Sequence, residues 1–255
     1  MSNIEYVIKL GGSAITKKDS PMTPNIEVIE NIAFELSKLK HLPSMIIVYG
    51  GGSFGHFAAK KYLKNGKLKD CIGVSEVRCA MLSLAKIISE KFLKYGVPIF
   101  PISSSSIFFT TNDELKYFLN PLELSLKHNM IPILGGDVII DELNDFKILS
   151  GDRIASMLAI RFNAKALIFG TDVDGIIING RILSKVKFSE INSLLPKIGN
   201  SKYDVTGGMV GKLLEIKDYL GKGGKTSIIF NITRPGLLTK LLIGEEIICT
   251  RVDAN

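Results

Sequence analysis

The sequence predicts an α/β fold, an αβα sandwich with a mainly parallel central sheet and helices on both faces, and three observations predict it. Short β-branched runs such as Met45 to Tyr49 alternate with segments of helical period, as parallel strands joined by helical crossovers require. Glycine clusters stand where those runs end, and no repeat, low-complexity block or long linker divides the chain.

Each element follows in order. Ile4 to Leu10 reads as a strand ending at Gly11-Gly12-Ser13. Beyond it Ile26, Ile29, Ala33, Leu36 and Leu39 recur at spacings that form one apolar helix face. Met45 to Tyr49 is a second buried strand, broken by Gly50-Gly51-Gly52 ahead of a helix over Phe54 to Leu63. A longer helix over Ser75 to Tyr95 turns Val77, Met81, Leu84, Ile88 and Phe92 inward, and Gly96 stops it. Val97 to Ile102 reads as a strand, and Asn120-Pro121 as an N-cap with proline at the first helical position. Ile131 to Ile140 with Phe146 to Leu149 suggests a hairpin around the polar link Asp141 to Asp145, and Ser150-Gly151-Asp152 opens another helix. Strands over Ala166 to Phe169 and Ser227 to Phe230 flank a Thr-Asp-Val-Asp-Gly turn and a helix beginning near Thr206. Residues 1–255 read as one domain with two lobes, roughly 1–160 and 161–255.

A composition of 46% hydrophobic and 22% charged residues is that of a folded core rather than a disordered chain. The amino terminus carries Glu5 and turns at Gly11, so it lacks the basic start and apolar run of a secretory signal. No apolar stretch approaches the ~18 residues a bilayer span needs. The expectation is a soluble, cytoplasmic protein with no membrane partner. Cys71, Cys79 and Cys249 are odd in number and form no C-x-x-C pair, which argues against a disulfide framework or a zinc site. The net charge of +7 comes from 32 basic residues spread along the chain. Either they make a solvated cationic surface or they draw in polyanions, and without a nucleic-acid module small phosphates are favoured over nucleic acid.

Phosphate chemistry is what the glycine clusters suggest. Gly11-Gly12, Gly50-Gly51-Gly52 and Gly207-Gly208 lie after strands or before helices, where bare backbone N–H groups and a helix dipole can grip an anion. One such cluster is as easily a plain tight turn; three, two of them with a lysine nearby, shift the balance. Lys9 immediately precedes the first turn, and Lys212 lies about one helical turn beyond Gly208. A phosphoryl group in transfer spreads charge over its oxygens, and fixed cations in a dry cleft stabilise it. Neither the G-x-x-x-x-G-K-[ST] loop nor the protein-kinase motif set is present, so another kinase scaffold is required.

Five motifs carry a resemblance: K-L-G-G-S at Lys9 to Ser13, Y-G-G-G-S-F-G-H at Tyr49 to His56, S-G-D at Ser150 to Asp152, T-D-V-D-G at Thr171 to Gly175 and D-V-T-G-G-M at Asp204 to Met209. In order and spacing they resemble the amino acid kinase superfamily over essentially the whole chain. Within it, the glycine run closing on His56 is similar to that of the isopentenyl phosphate kinases, although Phe57 stands where many members have proline and Tyr49 where histidine is common.

The resemblance implies ATP-dependent phosphorylation of isopentenyl phosphate, with Mg2+ bridging the ATP phosphates, a β-hairpin near the acceptor site, and a homodimer acting late in isoprenoid precursor synthesis. It implies that Lys9, Leu10, Gly11, Gly12, Ser13, Gly52, Asp172, Gly208 and Lys212 serve ATP, and that Gly51, Gly55, His56 and Gly151 serve the acceptor. Lys9, Lys18, His56, Asp152 and Lys212 are the implied catalytic set, with Asp152 orienting the lysines, while a one-residue slip would put Lys17 in place of Lys18. No protein metal ligand is implied. Asp174 reads as a brace of its turn, and His41 and His128 as structural. Two other readings remain open: a kinase of this fold acting on a nucleoside monophosphate or a phosphonate, and a non-catalytic module that binds nucleotide or an anionic metabolite.

Overall fold

The computed structural model describes residues 4–64, 67–68, 70–112, 114–143, 145–198 and 208–254. The chain begins with β1 (Tyr6–Leu10), the single-turn α1 (Gly12–Ile15), α2 (Ile26–Ser37) and β2 (Met45–Tyr49). Next come α3 (Gly52–Tyr62), the ribbon of β3 (Leu63–Lys64) and β4 (Lys67–Leu68), the long α4 (Cys71–Lys94) and β5 (Ile99–Pro101). They are followed by α5 (Ser104–Ile107), β6 (Phe108–Thr111), β7 (Glu114–Tyr117), α6 (Asn120–Lys127), β8 (Ile131–Gly135), β9 (Asp137–Asp141) and β10 (Asp145–Leu149). The last third holds α7 (Gly151–Arg161), β11 (Ala166–Thr171), the ribbon of β12 (Ile177–Ile178) and β13 (Arg181–Ile182), β14 (Lys185–Lys187) and α8 (Ile191–Leu194). It closes with α9 (Gly208–Gly221), β15 (Thr226–Asn231), α10 (Leu237–Leu242) and β16 (Cys249–Asp253).

The main sheet runs β14-β16-β15-β11-β1-β2-β8-β5, and every pair is parallel except β15 with β16. Because helices cover both faces, β2 and β11 are buried along their whole length and read as continuous apolar runs rather than alternating ones. One core packs Ile8 and Leu10 of β1 against α2, α3 and α4; the other packs Val7 against α7 and α9. The in-register pairs Leu10 with Tyr49 and Leu10 with Gly170 end β1, β2 and β11 at one level, so the loops that follow them open side by side at the carboxyl edge.

The structure moves several sequence boundaries. α4 starts at Cys71, four residues before the periodic pattern begins, because Asp70 caps it by accepting the N–H groups of Ile72 and Gly73, each at 3.2 Å. α3 likewise starts at Gly52, inside the glycine run. In α6 the cap is Leu119, so Asn120 and Pro121 are already helical. The run from Ile131 to Ile140 is not one strand: it breaks at Gly136, where a Cβ would stand 2.7 Å from the Gly151 nitrogen. β8 stays in the main sheet, while β9 pairs with β10 as the expected hairpin and joins β6 and β7 in a four-stranded sheet the sequence did not announce. The expected helix start near Thr206 and the motif residues Asp204 to Gly207 lie outside the described residues. Among those described, no helix is long and apolar enough to cross a membrane.

Candidate active site

Strand alternation sends Lys9 to the same face as Val7, against α7 and α9, with Val48 and Phe169 as its strand neighbours. Asp152 enters from the first turn of α7, which Ser150 caps by accepting the Arg153 N–H at 3.1 Å. Lys212 enters from the first turns of α9. The three meet: Lys9 Nζ lies 2.7 Å from one Asp152 oxygen and Lys212 Nζ donates to the other at 3.0 Å. The Lys9 contact is an ion pair by distance without the angle of a hydrogen bond.

All three side chains are close to nine-tenths buried. Burial works against ionisation of Asp152, but Lys212 and Lys9 outweigh it and hold the carboxyl well below the usual carboxylate range. Two ammonium groups against one carboxylate leave this buried trio with a formal excess of one positive charge, an arrangement that invites an anion. Lys212 Nζ also stands 4.6 Å from the Phe169 ring centroid.

Around Lys9 the backbone is bare. A Cβ on Gly50 would lie 3.2 Å from Lys9 Nζ, and one on Gly151 would lie 3.5 Å from Lys9 Cε and 3.0 Å from the Tyr49 carbonyl. Side chains there would fill the space beside the ammonium. The first glycine turn is anchored by the Gly11 N–H on the Gly170 carbonyl at 2.7 Å, and the second by the Gly50 N–H on the Leu10 carbonyl at 2.9 Å. Gly52 has a φ of +47° and Gly208 one of +54°, a backbone region open mainly to glycine. Gly51 and Gly55 serve packing as well: Cβ atoms there would come 3.3 Å and 2.8 Å from Met81 Sδ, so α3 can lie close on α4 only without them. His56 follows on α3, partly buried.

A second charged group stands nearer solvent. Ser13 Oγ donates to one oxygen of Asp172 and Lys18 Nζ to the other, each at 2.8 Å. Burial raises the Asp172 pKa, but Lys18 and Ser13 bring it below the ordinary value. Lys18, not the exposed Lys17, makes this contact. Asp174 accepts from Asn231 at 3.1 Å and from Arg234 at 2.6 Å, bracing two neighbouring loops. His41 is exposed, and His128 caps α6 through its backbone N–H.

Sequence reasoning missed two supports of this site. Arg153 reaches Asp218 at 2.8 Å and Ser156 Oγ donates to the Glu215 carbonyl at 3.1 Å, which ties α7 to α9 and fixes Asp152 relative to Lys212. Tyr49 is buried over Gly135, and burial and Asp137 push its phenol up; Asp137 itself is bonded to Arg78, which also donates to Ser103 at 3.0 Å. Apart from Tyr49, which opens the second glycine motif, no motif marked these side chains, because each is an ordinary residue whose role comes from tertiary neighbours.

Residues 5–231 match the amino acid kinase family. The chain is 32% identical over 252 residues to the isopentenyl phosphate kinase of Methanocaldococcus jannaschii, a match covering 94% of this chain and 95% of that protein. The chain belongs to the isopentenyl phosphate kinases of the amino acid kinase family. The isopentenyl phosphate kinase of Methanothermobacter thermautotrophicus is 30% identical, with 96% of this chain and 98% of that one covered. A solved isopentenyl phosphate kinase structure superposes with a TM-score of 0.82 at 28% identity, over 97% of this chain and 99% of that one. The α/β sandwich expected from the sequence is therefore the isopentenyl phosphate kinase fold.

Proposed function

We propose that this chain transfers the terminal phosphoryl group of ATP to isopentenyl phosphate, giving isopentenyl diphosphate and ADP. The observation that carries the reading is the buried Lys9–Asp152–Lys212 trio, with its excess positive charge, set beside bare glycine backbone in a member of this family. An oxygen of the acceptor phosphate forms a bond to the γ-phosphorus as the bond to the β–γ bridging oxygen breaks, and the electron pair leaves with ADP. The acceptor oxygen is already anionic, so no general base is needed. Catalysis is positioning and charge stabilisation.

Lys9 and Lys212 stabilise the transferring group, and Asp152 holds both ammonium groups in place. Leu10 to Ser13, Gly52, Asp172 and Gly208 take the nucleotide; Gly51, Gly55, Gly151 and His56 take the acceptor; Lys18 approaches from the nucleotide side, where Asp172 holds it. The acceptor lobe covers roughly residues 1–160 and the nucleotide lobe the remainder. Among the described residues no group of three or more metal-binding side chains occurs, and Asp152 and Asp172 are each engaged by a lysine. With both carboxylates engaged by lysines, Mg2+ would be held by phosphate oxygens and water, where it would neutralise charge on the nucleotide. The protein works in the cytoplasm as a homodimer.

The test is a panel of acceptors with ATP and Mg2+, followed by 31P NMR. Isopentenyl phosphate is expected to give the diphosphate doublets. Turnover of a nucleoside monophosphate or a phosphonate with none of isopentenyl phosphate would overturn the acceptor, and no turnover of any would favour a binding module.

A further inference from the structure

The first glycine turn, which serves ATP, touches the second directly, whose Gly52 serves ATP and whose Gly51 and Gly55 serve the acceptor. A Cβ on Gly12 would stand 2.5 Å from the Gly52 nitrogen, and one on Gly52 would stand 2.7 Å from the Gly12 carbonyl oxygen and 2.1 Å from Thr16 Oγ1. Thr16 sits at that crossing. Its hydroxyl donates to the Gly12 carbonyl at 2.7 Å and accepts the Ser53 N–H at 2.9 Å, and the residue is only 2% exposed. A hydroxyl donates and accepts at one atom, so this single oxygen closes the bridge in both directions.

The bridge also carries the segment that holds Lys18. From Thr16 the chain turns out and returns, with the Lys17 N–H on the Thr23 carbonyl at 2.9 Å. It is fastened on return to the same residue of the second loop: Ser53 Oγ accepts from the Thr23 N–H and donates to the Thr23 carbonyl, each at 3.2 Å, and the Met22 N–H reaches the Ser53 carbonyl at 3.1 Å. Gly12, Gly52 and Lys18 thus share one fixed reference in Thr16 and Ser53.

We propose that Thr16 is a positioning residue for the transfer. Its hydroxyl sets the spacing between the loop that takes the ATP phosphates and the loop that takes the acceptor phosphate, and so sets the approach of the attacking oxygen to the γ-phosphorus. This rests on the assignment of those loops under the proposed function. Neither loop needs Thr16 to keep its own backbone donors, so each substrate still binds when the bridge is lost. What suffers is their alignment, to which transfer is steeply sensitive.

The experiment compares Thr16→Val, which keeps the shape and removes the hydroxyl bonds, with Thr16→Ser, which keeps both. Wild type is assayed first; if isopentenyl phosphate is not turned over, the functional reading fails and the comparison is run on whichever phosphate acceptor is. Steady-state kinetics should show Thr16→Val losing about 10- to 100-fold in kcat with each KM within about threefold of wild type, and Thr16→Ser retaining kcat within about threefold. Three results overturn the proposal: unchanged kcat in Thr16→Val, a loss confined to KM, or an equal loss in Thr16→Ser, which would assign the effect to methyl packing. Circular dichroism checks the fold. If Thr16→Val does not fold, Thr16→Ala replaces it with the same expectation, and unfolding of both would make Thr16 a residue of the fold alone and defeat the proposal.

Discussion

Two carboxylates in this molecule each hold two partners, and they do so in opposite surroundings. Asp152 binds Lys9 and Lys212 with all three side chains about nine-tenths buried, whereas Asp172 binds Ser13 and Lys18 with the lysine side chain 61% exposed. The distances are nearly the same; the dielectric is not. In the buried trio the charges act on one another almost unscreened, so geometry there is both a stability term and a field for phosphate. In the outer group water and salt share the work, and Lys18 can exchange Asp172 for a phosphate at little cost.

The largest break in that comparison is Asp152→Asn. It leaves two ammonium groups buried side by side, and the expected loss at neutral pH is about 3–5 kcal/mol of unfolding free energy, read by urea denaturation. Its pH dependence sharpens the point. The folded Asp152 pKa is lowered, so its stabilisation is present above the ordinary carboxylate value and fades as pH falls below about 4 toward the folded value. The gap between wild type and variant should therefore shrink on acidification; a gap that stays constant or widens would contradict the account. A smaller effect is expected at Asp172→Asn, about threefold to tenfold in KM for ATP, vanishing in roughly 0.5 M salt because the group is solvated. A salt-insensitive loss would place Asp172 in a buried role it does not occupy here.

How much of this was legible in the sequence divides along the same line. Lys9 and Lys212 could be singled out because each sits beside a glycine turn, where local rules place an anion, whereas Asp152 was reached only through the resemblance that its S-G-D motif carries. Periodicity gave α4 its buried face but not its start, since the cap at Asp70 precedes the first periodic residue. The four-stranded sheet escaped because β6 and β7 are short and joined through Asn112 at a positive φ, with no apolar alternation long enough to read. The split between β8 and β9 escaped for a different reason: only the approach of Gly151 shows why the chain must turn at Gly136. The bridge between Thr16 and Ser53 was invisible in sequence because it joins residues 37 positions apart.

If the buried trio carries the transfer, Lys212→Ala must slow rapid-quench single turnover of ATP with isopentenyl phosphate. With the fold retained by circular dichroism, the expected rate is lower by about 10³-fold. A variant that folds and transfers phosphate at the wild-type rate would contradict it.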